Sequence, residues 1–421
     1  LQNFQNYSTD IIIVGAGPAG ATASLFLCKS GVKHIIADKA KFPRDKICGD
    51  ALSGKVMNVL KKLNLNYAQE IYNNTENFIG SYGVKFAAPN GKCIDIPFKK
   101  DLEAHKNAAG FISKRINFDN FLFSKIDEEF ATILQNHQLK KIEKVSDGFH
   151  LTFQFDGILV NIFSKLIISA EGDRSLVRKQ FTTYKLDDNH YCAGLRAYYK
   201  GVTDFHSKNF IELHFLPELS PGYFWIFPLP NGEANVGVGL LSKTVSQKKI
   251  NLRKAMQLAI ENNPTIKNRF INATQIGETK GWGLPLGSKK QTICGDGFML
   301  TGDAASLIDP FTGEGIANAM ISGIYAAQQA VKCVEQNNYS SQFMQEYETI
   351  VFKNLWSELK LSHKIQRLSK HAWLFNYLIN KCEKNETLRD TITVMFDDVD
   401  LRNKLKKPSF YFKLLFNKAQ K

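Results

Sequence analysis

The sequence predicts an α/β fold, α+β overall: a Rossmann-like nucleotide-binding core, an inserted antiparallel β-sheet and a C-terminal helical segment. Three observations predict it. The charge-free run 11–28 is interrupted by Gly15, Gly17, Pro18 and Gly20, so it reads as a buried strand, a tight turn and a helix rather than a membrane span. Between about 75 and 241 the pattern changes to short strands separated by turn signals. After Gly313 apolar residues recur at helical spacing. A length of 421 residues suits two or three domains, and 44% hydrophobic residues supply their cores.

Taken in order, 10–14 is a buried strand, 19–30 a helix ended by Gly31, and 32–37 a second strand closed by Asp38. Between strand and helix lies Gly15-Ala16-Gly17-Pro18-Ala19-Gly20, a GxGxxG match in the context that gives the pattern meaning. The first glycine permits a sharp turn, the second lets a pyrophosphate approach the backbone, and the third lets helix and strand pack closely. The helix N-terminus then faces phosphate. Asp38, 18 residues after Gly20, stands where an acid binds a ribose hydroxyl, with Lys39 beside it. A glycine-rich turn without a ligand is the alternative.

The segment 75–98 reads as alternating strands around Pro89-Asn90-Gly91, and 119–137 as a helix. Three strands then follow in a β-meander, with Asp147-Gly148 and Asp156-Gly157 as hairpin turns, ending at 166–169. The stretch 190–241 is strand-rich and aromatic. At 298–303 another apolar strand ends in Gly302 and Asp303, and Gly313, Gly315 and Ile316 open a long helix. Asp303 is thus an acceptor at a strand's C-terminal edge, where open α/β sheets bind ligands. The helix start offers free N–H groups and a positive end suited to a ring that gains negative charge on reduction. The two glycine elements are about 280 residues apart and call for one long, shared cofactor, which FAD satisfies.

Gly15 to Gly20, Ala170-Glu171-Gly172-Asp173-Arg174-Ser175 and Gly302-Asp303 resemble the three flavin fingerprints of the para-hydroxybenzoate-hydroxylase-like FAD superfamily. Within it, Phe42-Pro43-Arg44-Asp45-Lys46-Ile47-Cys48-Gly49 and Pro221-Gly222-Tyr223-Phe224-Trp225-Ile226-Phe227-Pro228 resemble the geranylgeranyl reductase family, whose second segment reads YxWxFP. The likeness spans about residues 9–335. Two positions depart from it: Glu171 stands where the family has aspartate, and Asp50 where it often has glycine. The resemblance implies a Rossmann-like FAD-binding domain at 1–75, 105–185 and 285–335, a substrate-binding sheet domain at 76–104 and 186–284, and a helical segment at 336–421. It also implies that Gly172 and Arg115 contact FAD and that Cys48 and Gly49 lie near the flavin.

Read from the residues, Tyr223, Trp225 and Phe227 alternate along a strand and share one face. Asn235, Gly237 and Gly239 share a face of the returning strand, so an aligned register would leave an apolar slot for a hydrocarbon or planar ring. Without the family likeness that face reads as core. Cys48 is flanked by Arg44 and Lys46 and is a candidate to donate a proton or hold substrate beside the flavin, an inert buried cysteine being the alternative. Tyr223 and Trp225 are its catalytic companions. Arg44 is a candidate partner of cofactor phosphate or of reduced flavin. Arg115 reads equally as a charge at a helix start.

Seven cysteines without CxxC spacing fit neither a disulfide framework nor a zinc site and predict a reducing, cytoplasmic compartment. The nine histidines show no metal-binding spacing. Basic residues outnumber acidic ones 54 to 40, a charge of +14 that suits an anionic partner. Half of it comes from 361–421, with 13 basic and 6 acidic residues, where bases mix with aromatics over 401–416. That composition fits a helix with a solvated basic face or a peripheral contact at the inner membrane face. Nucleic acid is not expected, because no binding motif accompanies the charge. The functional expectation is an FAD-dependent oxidoreductase that saturates C=C bonds of an apolar isoprenoid or lipid substrate, with NAD(P)H an optional electron donor. The alternative is an NAD(P)H-using flavin monooxygenase. A halogenase, whose WxWxIP segment would need Trp at Tyr223 and Ile at Phe227, and a non-catalytic flavin or lipid scaffold rank behind both.

Overall fold

The computed structural model describes residues 5–99 and 107–385. The chain divides into two compact units. The first comprises Leu1–Lys46, Arg115–Tyr191 and Gly283–His363; the second comprises Ile47–Lys114, Cys192–Trp282 and Lys364–Lys421.

In the first unit, Ile11, Ile12 and Ile13 are fully buried, as an apolar run between two covering layers requires. Their strand, Gln5–Val14, pairs in parallel with His34–Ala37 on one side and Ile158–Ser169 on the other. Phe298–Leu300 lies parallel beyond Ile158–Ser169, and Ala131–Leu134 beyond His34–Ala37. Register aligns the C-terminal ends: Ala37 is opposite Val14, Val14 opposite Ser169, and Ser169 opposite Leu300. All three glycine fingerprints therefore leave one edge of one sheet. The expected meander is present as Gln138–Val145, Gly148–Phe155 and Ile158–Ser169.

The helix expected over 119–137 is instead the nine-residue Arg115–Phe123, followed by the strand Ala131–Leu134. Its four residues alternate too briefly to announce a strand, and parallel pairing with His34–Ala37 decides the conformation.

Helix Pro18–Lys29 packs against helix Ile316–Gln336 through small residues. A Cβ on Gly323 would meet the Ala19 carbonyl oxygen at 2.3 Å, and one on Gly302 would meet Ala319 Cβ at 3.0 Å. Close approach of these backbones brings two helix N-termini to the same strand-end edge.

The second unit is built on a seven-stranded sheet in which Gly83–Ala87 pairs in parallel with Ile211–His214, while Tyr191–Lys200, Glu233–Leu241, Gly222–Pro228 and Ile211–His214 run antiparallel in that order, as do Gly83–Ala87 and Cys93–Pro97. The inserted sheet is thus mainly antiparallel, with that one parallel pair. One face carries a core of Phe224, Ile226, Val236, Val238, Met256 and Phe270. A smaller sheet joins Ala51–Leu52, Ile79–Ser81 and Gly110–Ile112. Helix Ser341–Leu368 lies mainly in the first unit and helix Ala372–Lys384 in the second. Among the described residues no helix is long and apolar enough to cross a membrane.

Candidate functional site

In the first unit, Gly15 has φ +97°, and a Cβ there would stand 2.4 Å from the Ala170 carbonyl oxygen. A Cβ on Gly20 would stand 1.8 Å from the Gly15 carbonyl oxygen. The chain itself demands glycine at both positions. Gly17 differs: the nearest atom to an added Cβ is an Arg44 guanidinium nitrogen at 3.5 Å, an ordinary contact. The packing of the chain does not itself demand glycine there. Helix Pro18–Lys29 has Gly17 as N-cap with no side chain capping it, and helix Ile316–Gln336 likewise starts at Gly315 without a side-chain cap. Two uncapped, positively polarised helix ends beside a glycine cradle fit the anionic pyrophosphate and the electron-accepting ring edge of FAD.

Arg44 donates to Asp119 at 2.7 Å, and Arg115 binds the same carboxylate through two bonds of 2.6 and 2.7 Å. Two guanidiniums on one buried carboxylate leave the trio formally positive near the Gly17 helix start. Asp119 was not anticipated; its position four residues after Arg115 on a helix was the available signal. Asp38 accepts the Ala16 N–H at 2.7 Å and the Ala40 N–H at 2.8 Å, so its carboxylate braces the glycine turn as well as standing at the expected ribose position. Lys39 follows it on the exposed side.

Glu171 reaches the start of helix Leu176–Phe181: it accepts the Leu176 N–H at 3.0 Å, Ser169 Oγ–H at 2.7 Å and Ser175 Oγ–H at 2.8 Å. Its departure from the family aspartate is therefore accommodated, with the side chain folded onto a helix N-terminus that favours an anion. Gly172 has φ +76° and nothing within 4 Å of an added Cβ. Arg178 donates to the Asp303 carbonyl oxygen at 3.1 Å, to Asp173 and to Ser306 Oγ at 3.4 Å, tying the second fingerprint to the third. It stacks on Tyr184 at 3.9 Å and was missed because it lies just beyond the fingerprint. Burial pushes the Asp303 carboxyl up, while the charges of Lys46 and Arg115 pull it down. Gly313 has φ +73°, and Asp309 shapes its loop by accepting the Phe311 and Thr312 N–H groups at 3.0 and 2.8 Å.

The second unit holds Cys48, Gly49, Tyr223 and Trp225. Tyr223 is opposite Gly239, Trp225 opposite Gly237, and Phe227 opposite Asn235, which is the register that aligns the two expected faces. The open slot is not there at Gly237, however. A Cβ on Gly237 would stand 2.2 Å from Trp225 Cζ2, so the indole lies flat over the glycine and fills the space. Trp225 and Phe227 are 8% and 7% exposed, and Tyr223 is half-buried. A Cβ on Gly49 would come within 3.1 Å of the Phe227 ring, so the turn after Cys48 rests on this aromatic face.

Asn235 was expected only as a small residue leaving room. Instead it accepts the Trp225 indole N–H at 2.8 Å and donates to the Cys48 carbonyl oxygen and to Asp50 Oδ2, each at 2.8 Å. The Tyr198 hydroxyl donates to the same Asp50 oxygen at 2.7 Å. Among the described residues no group of three or more His, Cys, Asp or Glu is placed to hold a metal ion.

The profile of the FAD binding domain family matches residues 8–354. The chain is 28% identical over 375 residues to a digeranylgeranylglycerophospholipid reductase of Methanococcus vannielii, covering 86% of this chain and 88% of that protein. It is 28% identical to the Methanocaldococcus jannaschii protein of the same name, covering 96% and 97%. A solved structure described as geranylgeranyl bacteriochlorophyll reductase-like, from Thermoplasma acidophilum, superposes with a TM-score of 0.78 at 26% identity, over 89% of this chain and 91% of that one. A flavin-dependent brominase superposes with a TM-score of 0.76 at 19% identity, over 96% of this chain and all of that one, and shares the fold. The glycine cradle, the uncapped helix ends and the matched profile agree: the chain belongs to the FAD binding domain family and is an FAD-dependent oxidoreductase.

Proposed function

We propose that the protein saturates C=C bonds of an isoprenoid lipid. The observation that carries this reading is the Cys48–Gly49 turn seated on the Trp225–Phe227 face, because it joins a protic side chain to an apolar, aromatic wall in a flavoprotein whose reductase relatives are named for a geranylgeranylated glycerophospholipid. FAD, when bound and reduced, supplies hydride. The backbone of Gly15, Gly17, Pro18, Ala19 and Gly20 with Arg44 and Arg115 would hold the pyrophosphate, Asp38 and Lys39 the adenosine side, and Gly172, Gly302, Asp303, Gly313, Gly315 and Ile316 the flavin side. Half-buried Tyr223 orients the hydrocarbon, and the buried Trp225 indole behind it closes the wall against water, burial stabilising each apolar Å² by about 25 cal/mol. Saturation adds one hydride and one proton; Cys48 Sγ–H holds the proton for the carbon that hydride leaves untouched, with the Tyr223 hydroxyl or water as the other sources. The electron donor is NAD(P)H or a protein carrier.

Cys48→Ser should lower turnover by roughly 10²-fold, the scale of a lost proton donor, with flavin content unchanged. The reading is tested by reducing the protein anaerobically with dithionite and adding a polyprenyl ether phospholipid. Return of the oxidised flavin absorbance supports it. Return only on admitting oxygen contradicts it, and a hydroxylated lipid recovered from the aerated sample favours a monooxygenase.

A lipid surface is the proposed partner of the helical segment. Helix Ala372–Lys384 exposes Trp373 by 68% and Tyr377 by 39%, one turn apart, with Lys381 5.4 Å from the Tyr377 ring. Exposed aromatics beside lysine suit an anionic bilayer interface. The basic, aromatic stretch 401–416 lies outside the described residues.

A further inference from the structure

Asp50 is fully buried, yet it is a carboxylate, and its φ of +68° is a conformation natural to glycine. Both features cost stability, and the glycine often found at this place in the related family would avoid both. The side chain therefore has work to do. Its Oδ2 accepts from Tyr198 Oη at 2.7 Å and Asn235 Nδ2 at 2.8 Å. Asn235 spends its other amide proton on the Cys48 carbonyl oxygen and its own oxygen on the Trp225 indole. The Tyr198 ring is clasped by Arg196 at 4.0 Å and Lys114 at 4.8 Å, and Lys114 is in turn paired with Glu233, so the donor is itself held. On the far side the Ser113 N–H bonds the Asp50 carbonyl oxygen at 3.0 Å, and Ala51 pairs with Ile112.

We propose that Asp50 is a positioning residue: through Asn235 and Tyr198 its carboxylate latches the Cys48–Gly49 turn onto the aromatic strand and sets where the Cys48 thiol stands. The importance of that position for turnover rests on the proposed role of Cys48; the latch itself does not.

The test uses the full-length, FAD-loaded protein. Asp50→Gly keeps the backbone conformation and removes the carboxylate; Asn235→Ala removes the hub. Site-resolved N-ethylmaleimide labelling by mass spectrometry should show Cys48 reacting roughly tenfold faster or more in both variants, tracking local opening. Cys192 and Cys382 of the same unit should stay as protected as in the unsubstituted protein, and kcat for lipid saturation should fall with flavin content unchanged. Unchanged Cys48 labelling in both variants overturns the latch, as does equal acceleration at Cys192 and Cys382, which would report general loosening. Faster Cys48 labelling in a protein that reduces no lipid leaves the latch standing and removes the proposed function instead.

Discussion

At the scale of single residues, Gly17 separates the demands of the ligand from those of the chain. Gly17→Ala meets only Arg44 at 3.5 Å, so the variant should melt like the unsubstituted protein yet bind FAD about tenfold or more weakly in a fluorescence titration, because a methyl would occupy space reserved for pyrophosphate. Gly20→Ala puts a methyl 1.8 Å from a backbone oxygen and should prevent folding. His34 makes a different prediction. Buried, with its ring bonded to Ser24 Oγ at 2.7 Å and to the Val32 carbonyl oxygen at 3.0 Å, it is pushed down by burial to about 4. A depressed histidine contributes stability that is present above its unfolded value near 6.5 and lost as pH falls towards 4. The loss should approach about 3 kcal/mol, and urea midpoints of His34→Gln should lack that part of the pH dependence.

Elements succeed or fail according to how local their cause is. Gly237→Ala would drive a methyl to 2.2 Å from the Trp225 ring and 2.3 Å from the Leu195 carbonyl oxygen, and we expect a cost of about 3 kcal/mol or more with a shift in tryptophan emission, both read in one denaturation experiment. The two alternating faces behind this prediction were legible in the sequence, whereas their register, set across the short turn at 230–232 between the strands Gly222–Pro228 and Glu233–Leu241, came from the structure. What the indole does with the space was not legible. Glycine opposite tryptophan reads the same whether a ligand or the ring itself fills the gap. The first strand, turn and helix were legible for the same local reason: glycine, proline and apolar runs act within one turn of chain. Ala131–Leu134 was not, since its conformation is decided by a strand about 100 residues away in sequence. Nor was the Asp50–Asn235–Tyr198 network, whose members stand about 40 to 185 residues apart and acquire meaning only when the sheet brings them together.

On the scale of the whole molecule, the first unit has two uncapped helix ends and a glycine cradle of its own, and the second, described by itself, has Cys48 on a turn that rests on an aromatic face. FAD binding only the native state should stabilise the protein by about 2.7 kcal/mol at a hundredfold excess over Kd, visible as a rise in melting temperature on adding FAD to stripped protein. The most direct measurement is the mass of a polyprenyl ether lipid recovered after anaerobic incubation with dithionite-reduced protein, beside a stripped, flavin-free control. A gain of two hydrogens for each saturated double bond, absent from the control, is the result the account predicts. Lipid recovered unchanged without oxygen, and carrying added oxygen once air and NADPH are supplied, would contradict it.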